Sequence, residues 1–156
     1  MFKVYHATYN PHNLTGQVGG AITTTPYSGY LDELFYNVSA PPSGTDSVYQ
    51  YRKLYIKNEF LVASNSTRVW VDAVDHPEQI TIALATGSHN IVATNPITEP
   101  TGISDWVEST NYTDGIELGT LSVNSYTGVW VRQKLENIVE EDPFATFRLY
   151  VGGIVE

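Results

Sequence analysis

The residues with the widest chemical range are four histidines, His6, His12, His76 and His89. None stands in an HxH or HExxH arrangement, and zinc needs several ligands converging on one point. Their scatter reads as surface loop histidines, with no metal-binding set. Two carboxylate groups follow, Asp72, Asp75 and Glu78 around one turn and Glu140, Glu141 and Asp142 in a run. Either supplies oxygen for calcium, but neither matches the EF-hand loop, so both read as acidic turns. A glycosidase needs two carboxylates flanking the scissile bond, and linear spacing places no such pair. Serine, histidine and aspartate are present without a G-x-S-x-G elbow. The glycines between Gly16 and Gly20 lack the lysine and helix of a phosphate-binding loop. These patterns predict no catalytic, cofactor-binding or metal-binding residue, and hence a protein that is not an enzyme.

Binding chemistry is better represented, with eleven tyrosines and three tryptophans in 156 residues. Tyr49, Tyr51, Tyr55, Trp70, Trp130 and Tyr150 fall opposite the aliphatic side of the segments that carry them. Outward aromatics in clusters mark interfaces or sugar-stacking platforms. If the N-terminal residues or the segment 86–115 cover them, the same rings are core residues instead. Phe2, Val4 and Tyr5 precede a glycine-rich loop, so the first strand is expected to be free to pair with an exposed edge of another chain.

These side chains need strands to carry them. Hydrophobic residues make up 42% and charged residues 16%, the latter well below the usual share of about a quarter. Abundant Tyr, Thr, Val and Ile suit a pleated surface, while the helix-surface residues Ala, Lys and Arg are sparse. Alternation of period two places Leu54 and Ile56 on one face, then Val69, Val71 and Ala73, then Ile80, Ile82 and Leu84. It returns with Ile116 and Leu118, a kink at Gly119, then Leu121 and Val123. Val129 and Val131 follow, then Phe147, Leu149 and Val151. His76-Pro77 reads as a turn, and one helical turn around 133–139 is compatible with the pattern. Residues 2–8 read as a first strand or an extended arm, and 21–25 as a short strand. Loops are expected at 10–20 and 39–47, and a long one with one short strand at 86–115.

One-faced strands need a second sheet. The pattern predicts one all-β domain over 1–156, a two-layer antiparallel sandwich (Ig-like or jelly-roll-like) of about seven strands. Residues 48–156 form the sandwich, and 1–47 an N-terminal arm or flap.

A net charge of −9 argues against nucleic acid, whose phosphates need a concentrated positive stripe. The absence of cysteine removes disulfides and thiolate chemistry. No apolar stretch has signal-peptide or membrane-spanning length, so folding in a cytoplasm without membrane contact is expected. Without secretion, the Asn-x-Ser/Thr triplets at Asn13, Asn37, Asn65 and Asn111 carry no glycan.

Four segments taken in order, GGAI (19–22), LDELFYNVSAPPSGTDSVYQYRKLYIKN (31–58), GVWVRQK (128–134) and RLYVGG (148–153), resemble a group of small virion proteins of tailed bacteriophages. Leu34, Phe35 and Val38 match that group's apolar patch. Tyr51, Arg52, Lys53 and Asn58 match its Tyr-Arg-Lys strand ending in Asn, and Trp130 and Arg132 its Gly-Val-Trp strand. Tyr36-Asn37 departs where acidic residues are usual, and Gln133 where a second basic residue is common. The resemblance implies a β-sandwich that assembles into the virion as a head decoration or cement protein. Its partners would be other virion proteins, the major capsid protein first, and it would be oligomeric in the particle. A tail or baseplate position, or a carbohydrate-binding module, is the alternative.

Overall fold

The computed structural model describes residues 1–11, 15–27, 34–35, 47–72, 74, 80–87, 91–136 and 147–155. Among them are nine strands: β1 (Phe2–Tyr9), β2 (Val18–Pro26), β3 (Val48–Asn58), β4 (Ser64–Asp72), β5 (Ile80–Gly87), β6 (Val92–Ala93), β7 (Ile116–Leu121), β8 (Tyr126–Leu135) and β9 (Arg148–Val155). A six-stranded sheet runs β5-β8-β3-β1-β2-β6 and a three-stranded sheet runs β7-β4-β9, with every pairing antiparallel. The chain is therefore an all-β sandwich, with nine strands among the described residues where about seven were expected.

The inward phase of each strand is as the alternation predicts. Leu54, Ile56, Ile82, Leu84, Val129 and Val131 from the large sheet meet Val69, Val71, Ile116 and Leu121 from the small one. Ile80, Phe147, Leu149 and Val151 pack at the margins of this core. Gly119, at φ 74°, marks the expected kink, and the β4–β7 register shifts beside it. Val123 lies beyond that strand, exposed in the loop before β8.

The N-terminal residues are not a free arm. β1 lies between β3 and β2, pairing Phe2 with Asn58 and His6 with Leu54 on one side and Ala7 with Ile22 on the other. Residues 2–6 pair with β3 and residues 5–9 with β2, so the strand lies inside the sheet and is not a free edge strand. Leu34 is buried in the core and Phe35 packs against it, while Val38 lies outside the described residues. The same holds for Ala73, the His76-Pro77 turn and the end of the conceived helical turn, of which Gln133–Leu135 are strand.

Two polar residues decide how the sandwich closes. Asn58 is fully buried at the end of β3, where its Nδ2 donates to the carbonyls of Val62 (3.0 Å) and Leu121 (2.8 Å), and its Oδ1 accepts from the Phe60 amide (2.9 Å). One carboxamide thus joins the β3–β4 connection to the end of β7, satisfying groups that no ladder reaches. Near the middle of β3, Arg52 faces into the sandwich, donating to the Tyr51 carbonyl at 2.9 Å beneath the Phe35 ring. Burial pulls its pKa down to about 10, with Tyr27 opposing the shift.

Truncating Ile82 to Ala is expected to cost about 2–5 kcal/mol in urea unfolding followed by circular dichroism. Asn58→Asp sets a carboxylate against the carbonyl oxygens that the amide now serves, and should cost about 3 kcal/mol or more at neutral pH. Recovery of stability at acidic pH, where the new acid holds its proton, would mark the acceptor clash as the cause.

Candidate functional site: an aromatic face on the small sheet

The six aromatics assigned to outward faces divide by sheet. On the large sheet the outer face is itself covered. Trp130 and Tyr55 are fully buried and Tyr51 is 5% exposed. Val18, Ala85, Ala93 and Ile103 complete a second apolar layer there, with Tyr49, Ile91 and Trp106 at its margin. The segment 91–107 supplies most of this cover. It is held by a hydrogen bond from the Tyr51 amide to the Pro96 carbonyl (2.7 Å) and by a reciprocal pair between Leu84 and Val107 (2.9 and 2.8 Å). Glycines make room for the indole: a Cβ on Gly87 would lie 2.4 Å from the Trp130 ring, and one on Gly19 3.0 Å from it. Tyr51, Tyr55 and Trp130 are therefore core residues, and Tyr5, only 8% exposed, joins Tyr55 beneath β2. Phe2 and Val4 turn the other way, against the inter-sheet core. Of the six, Tyr5, Tyr51, Tyr55 and Trp130 are buried, and Phe2 and Val4 are half-buried.

Lys53 is drawn into the same covered layer. Its ammonium lies 5.1 Å from the Tyr55 ring centre and 5.7 Å from that of Trp130, and burial lowers its pKa to about 8. The rings offer their negative faces, which offsets part of the lost hydration. Tyr49 is half-buried at the edge of the layer, with the Arg132 guanidinium 5.5 Å from its ring centre and 5.0 Å from that of Trp106.

On the small sheet the outward phase does face solvent. Trp70 and Tyr150 are directly opposed on β4 and β9, their rings stacked at 5.7 Å with 11° between planes. Tyr112 meets Trp70 edge-on at 5.6 Å. Tyr112 and Tyr150 remain 39% and 38% exposed, and Trp70 is half-buried between them. The indole lies over bare backbone, since a Cβ on Gly152 would come within 3.2 Å of it.

The Tyr112 loop is built to hold this position. The Asn111 side chain accepts from the amides of Thr113 (2.9 Å) and Asp114 (3.1 Å), and the Tyr112 hydroxyl donates to the Ser66 carbonyl at 2.9 Å. Arg68, outward on β4, donates to the Thr113 carbonyl, lies 5.7 Å from the Tyr112 ring centre and reaches Glu117 at 3.6 Å. Three rings, one guanidinium and carboxylates at the margin thus form a preorganised patch, large in contact area and low in ordering cost. Periodicity identifies Trp70 and Tyr150. Tyr112 comes from a loop, and only its turn residues hint that it is fixed.

Among the described residues, no three His, Asp or Glu side chains are grouped to hold a metal ion. His6 stacks on Tyr27 at 3.5 Å, and the other three histidines lie outside the described residues. Asp72 is exposed, while Asp75, Glu78 and the 140–142 cluster fall outside them too. No family model, curated protein or solved structure matches the chain.

The buried ammonium gives a pH signature. A free lysine titrates near pH 10.4, so below about pH 8 both folded and unfolded states hold the proton and the fold carries the full burial penalty. Between about pH 8 and 10.5 the folded state releases it first, the unfolded state binds more protons, and stability rises with pH. Lys53→Met should be the more stable protein at pH 7, with its advantage shrinking by pH 10. Comparing urea midpoints of the two proteins cancels the tyrosine titrations they share. A gap independent of pH would show that Lys53 is not buried as a cation.

Proposed function

We propose that this chain is a non-enzymatic structural protein of a tailed-phage virion, which binds the capsid and stabilises or decorates it. The observation that carries the reading is the preorganised Trp70–Tyr150–Tyr112 face, a fixed aromatic surface left open to solvent on an otherwise two-faced, well-covered sandwich. Such rings lose little entropy on binding and are the commonest anchors of protein interfaces. The resemblance of the Tyr51–Asn58 and Gly128–Lys134 segments to small virion proteins supplies the choice of partner. The capsid subunit comes first, with a tail or baseplate subunit as the alternative position. The net charge of −9 keeps free copies soluble and apart until they reach the particle.

A carbohydrate-binding module is the second reading, favoured by an indole flanked by two tyrosines, which a sugar ring can stack upon. Co-sedimentation with particles lacking the protein separates the two. Wild-type chain should pellet with the particles, and Trp70→Ala, folded by circular dichroism, should weaken that binding by about tenfold or more. Failure of both proteins to pellet, together with binding of wild type on a glycan array, would transfer the face to sugar recognition.

A further inference from the structure

A sheet edge is a row of unspent hydrogen-bonding groups, and this fold manages its edges unequally. Along β5 the edge is bridged by Val107, which exchanges both backbone bonds with Leu84. β6 is only two residues long. β7 carries the exposed Glu117 and is bent by Gly119, with register shifts against β4. β9 has none of these devices. It is eight residues long, and its one charge, Arg148, stands at its first position. Among the described residues, no segment bonds to the side of β9 away from β4.

The direction of its backbone groups follows from β4. The Val71 amide donates to the Ser109 carbonyl at 2.9 Å, on the side away from β9. Alternation then turns Trp70 and Asp72 toward β9, where Tyr150 and Arg148 are their partners. Leu149 and Val151 therefore direct their N–H and C=O groups to the open edge. The side chains along that edge are apolar. Tyr150, Ile154 and Val155 are 38%, 53% and 40% exposed, and Leu149 and Val151 are half-buried. Gly152 and Gly153 lie between them.

We propose that two copies of this chain pair through β9, edge to edge and antiparallel, with Gly152 on the two-fold axis. The strand's own sequence argues for a second copy as the occupant. Opposed residues of an antiparallel pair share a face, so this register sets Tyr150 against Ile154 on the outer face and Leu149 against Val155 on the inner. Each exposed apolar side chain thus meets an apolar partner, while Val151 exchanges backbone bonds with Gly153. Opposed Cα atoms at the axis approach to about 4.5 Å. Glycine there leaves room for the Trp70 indole that lies over it in each copy. The contact is isologous and closes at a dimer. It joins the two small sheets into one and sets their aromatic faces side by side. The net charge of −9 on each copy opposes the approach, so pairing tightens as salt screens that repulsion. The inference does not rest on the virion reading.

The test is light scattering on the purified full chain at rising concentration, in about 0.1 M and about 1 M salt, where the screening length falls from about 10 Å to about 3 Å. The wild type should reach the dimer mass and stop there, pairing more tightly at the higher salt. Val151→Pro removes an N–H that serves the open edge and spares the β4 ladder. Ile154→Lys sets a charge at an exposed position on the same edge. Each variant should stay folded by circular dichroism and pair about tenfold or more weakly. Ile154→Lys decides alone if the proline variant unfolds. The chain has no cysteine, so an oxidised equimolar mixture of Tyr150→Cys and Ile154→Cys should yield a cross-linked dimer that neither gives by itself. No particles are present, which keeps this result separate from particle binding. A wild type that stays monomeric at the higher salt, or grows past the dimer, would overturn the proposal. So would Ile154→Lys pairing as wild type does, or a cysteine mixture that cross-links no better than its components.

Discussion

The long β3–β8 ladder, in which Val48 pairs with Leu135 and Lys57 with Tyr126, must be covered on both faces, and most of the molecule follows from that requirement. Its inner face carries Leu54, Ile56, Val129 and Val131, which the three-stranded sheet covers. Its outer face carries Tyr51, Tyr55 and Trp130, which would expose an aromatic area of interface size if left bare. The chain spends β2 and the segment 91–107 on covering it. The small residues Ala83, Ala85, Gly87 and Gly128 are the complement of those rings, since a side chain at Gly87 or Gly128 would strike Trp130 or Lys53. Two charged residues are drawn in with the strand, Arg52 on the inner face and Lys53 on the outer, and both are pushed toward their neutral forms.

This constraint also explains what the residue pattern reveals and what it hides. Alternation reports which side chains share a face, and the inward sets it assigns among the described residues lie at the core, except Val123, which falls beyond the end of β7 and is exposed. It is silent on whether the other face is wet. Trp70 and Trp130 have the same local pattern, valine on either side and arginine two residues away, yet one is half open and the other fully enclosed. The difference comes from partners distant in sequence. β8 lies between β3 and β5, under a loop from 91–107, whereas β4 sits in a three-stranded sheet whose outer face, among the described residues, receives the Tyr112 loop. A signal for the covered face does exist: β3 reads VYQYRKLYIKN, apolar or aromatic on both sides, as strands buried on both faces do.

The first strand was obscured for a related reason. Glycine-rich loop residues after Tyr9 suggest freedom, but a strand's freedom is set by the edge it finds, and β3 offers one to Phe2–His6. Where β1 diverges, the Pro96 carbonyl takes the Tyr51 amide, so the exposed ladder groups of β3 are filled by a loop with no strand pattern of its own. Of the functional face, Trp70 and Tyr150 were legible from phase alone. Tyr112 was not, because its position depends on side-chain bonds to Asn111 and Ser66 that no periodicity encodes.

The strand order has a consequence for synthesis. β3 is among the earlier strands to leave the ribosome, yet its long partner β8 follows only after β4, β5, β6 and β7 have been made. During that interval a strand with hydrophobic residues on both faces waits beside β1 with one edge open. Non-local pairing of this kind folds slowly, and unpaired strand edges are the part of a nascent chain most prone to aggregate. Lys53 and Arg52, costly in the finished fold, are charged and hydrated while β3 waits, and in that state they oppose premature self-pairing as gatekeeper residues do. The same side chains that lower the stability of the native sandwich protect the route by which it is reached.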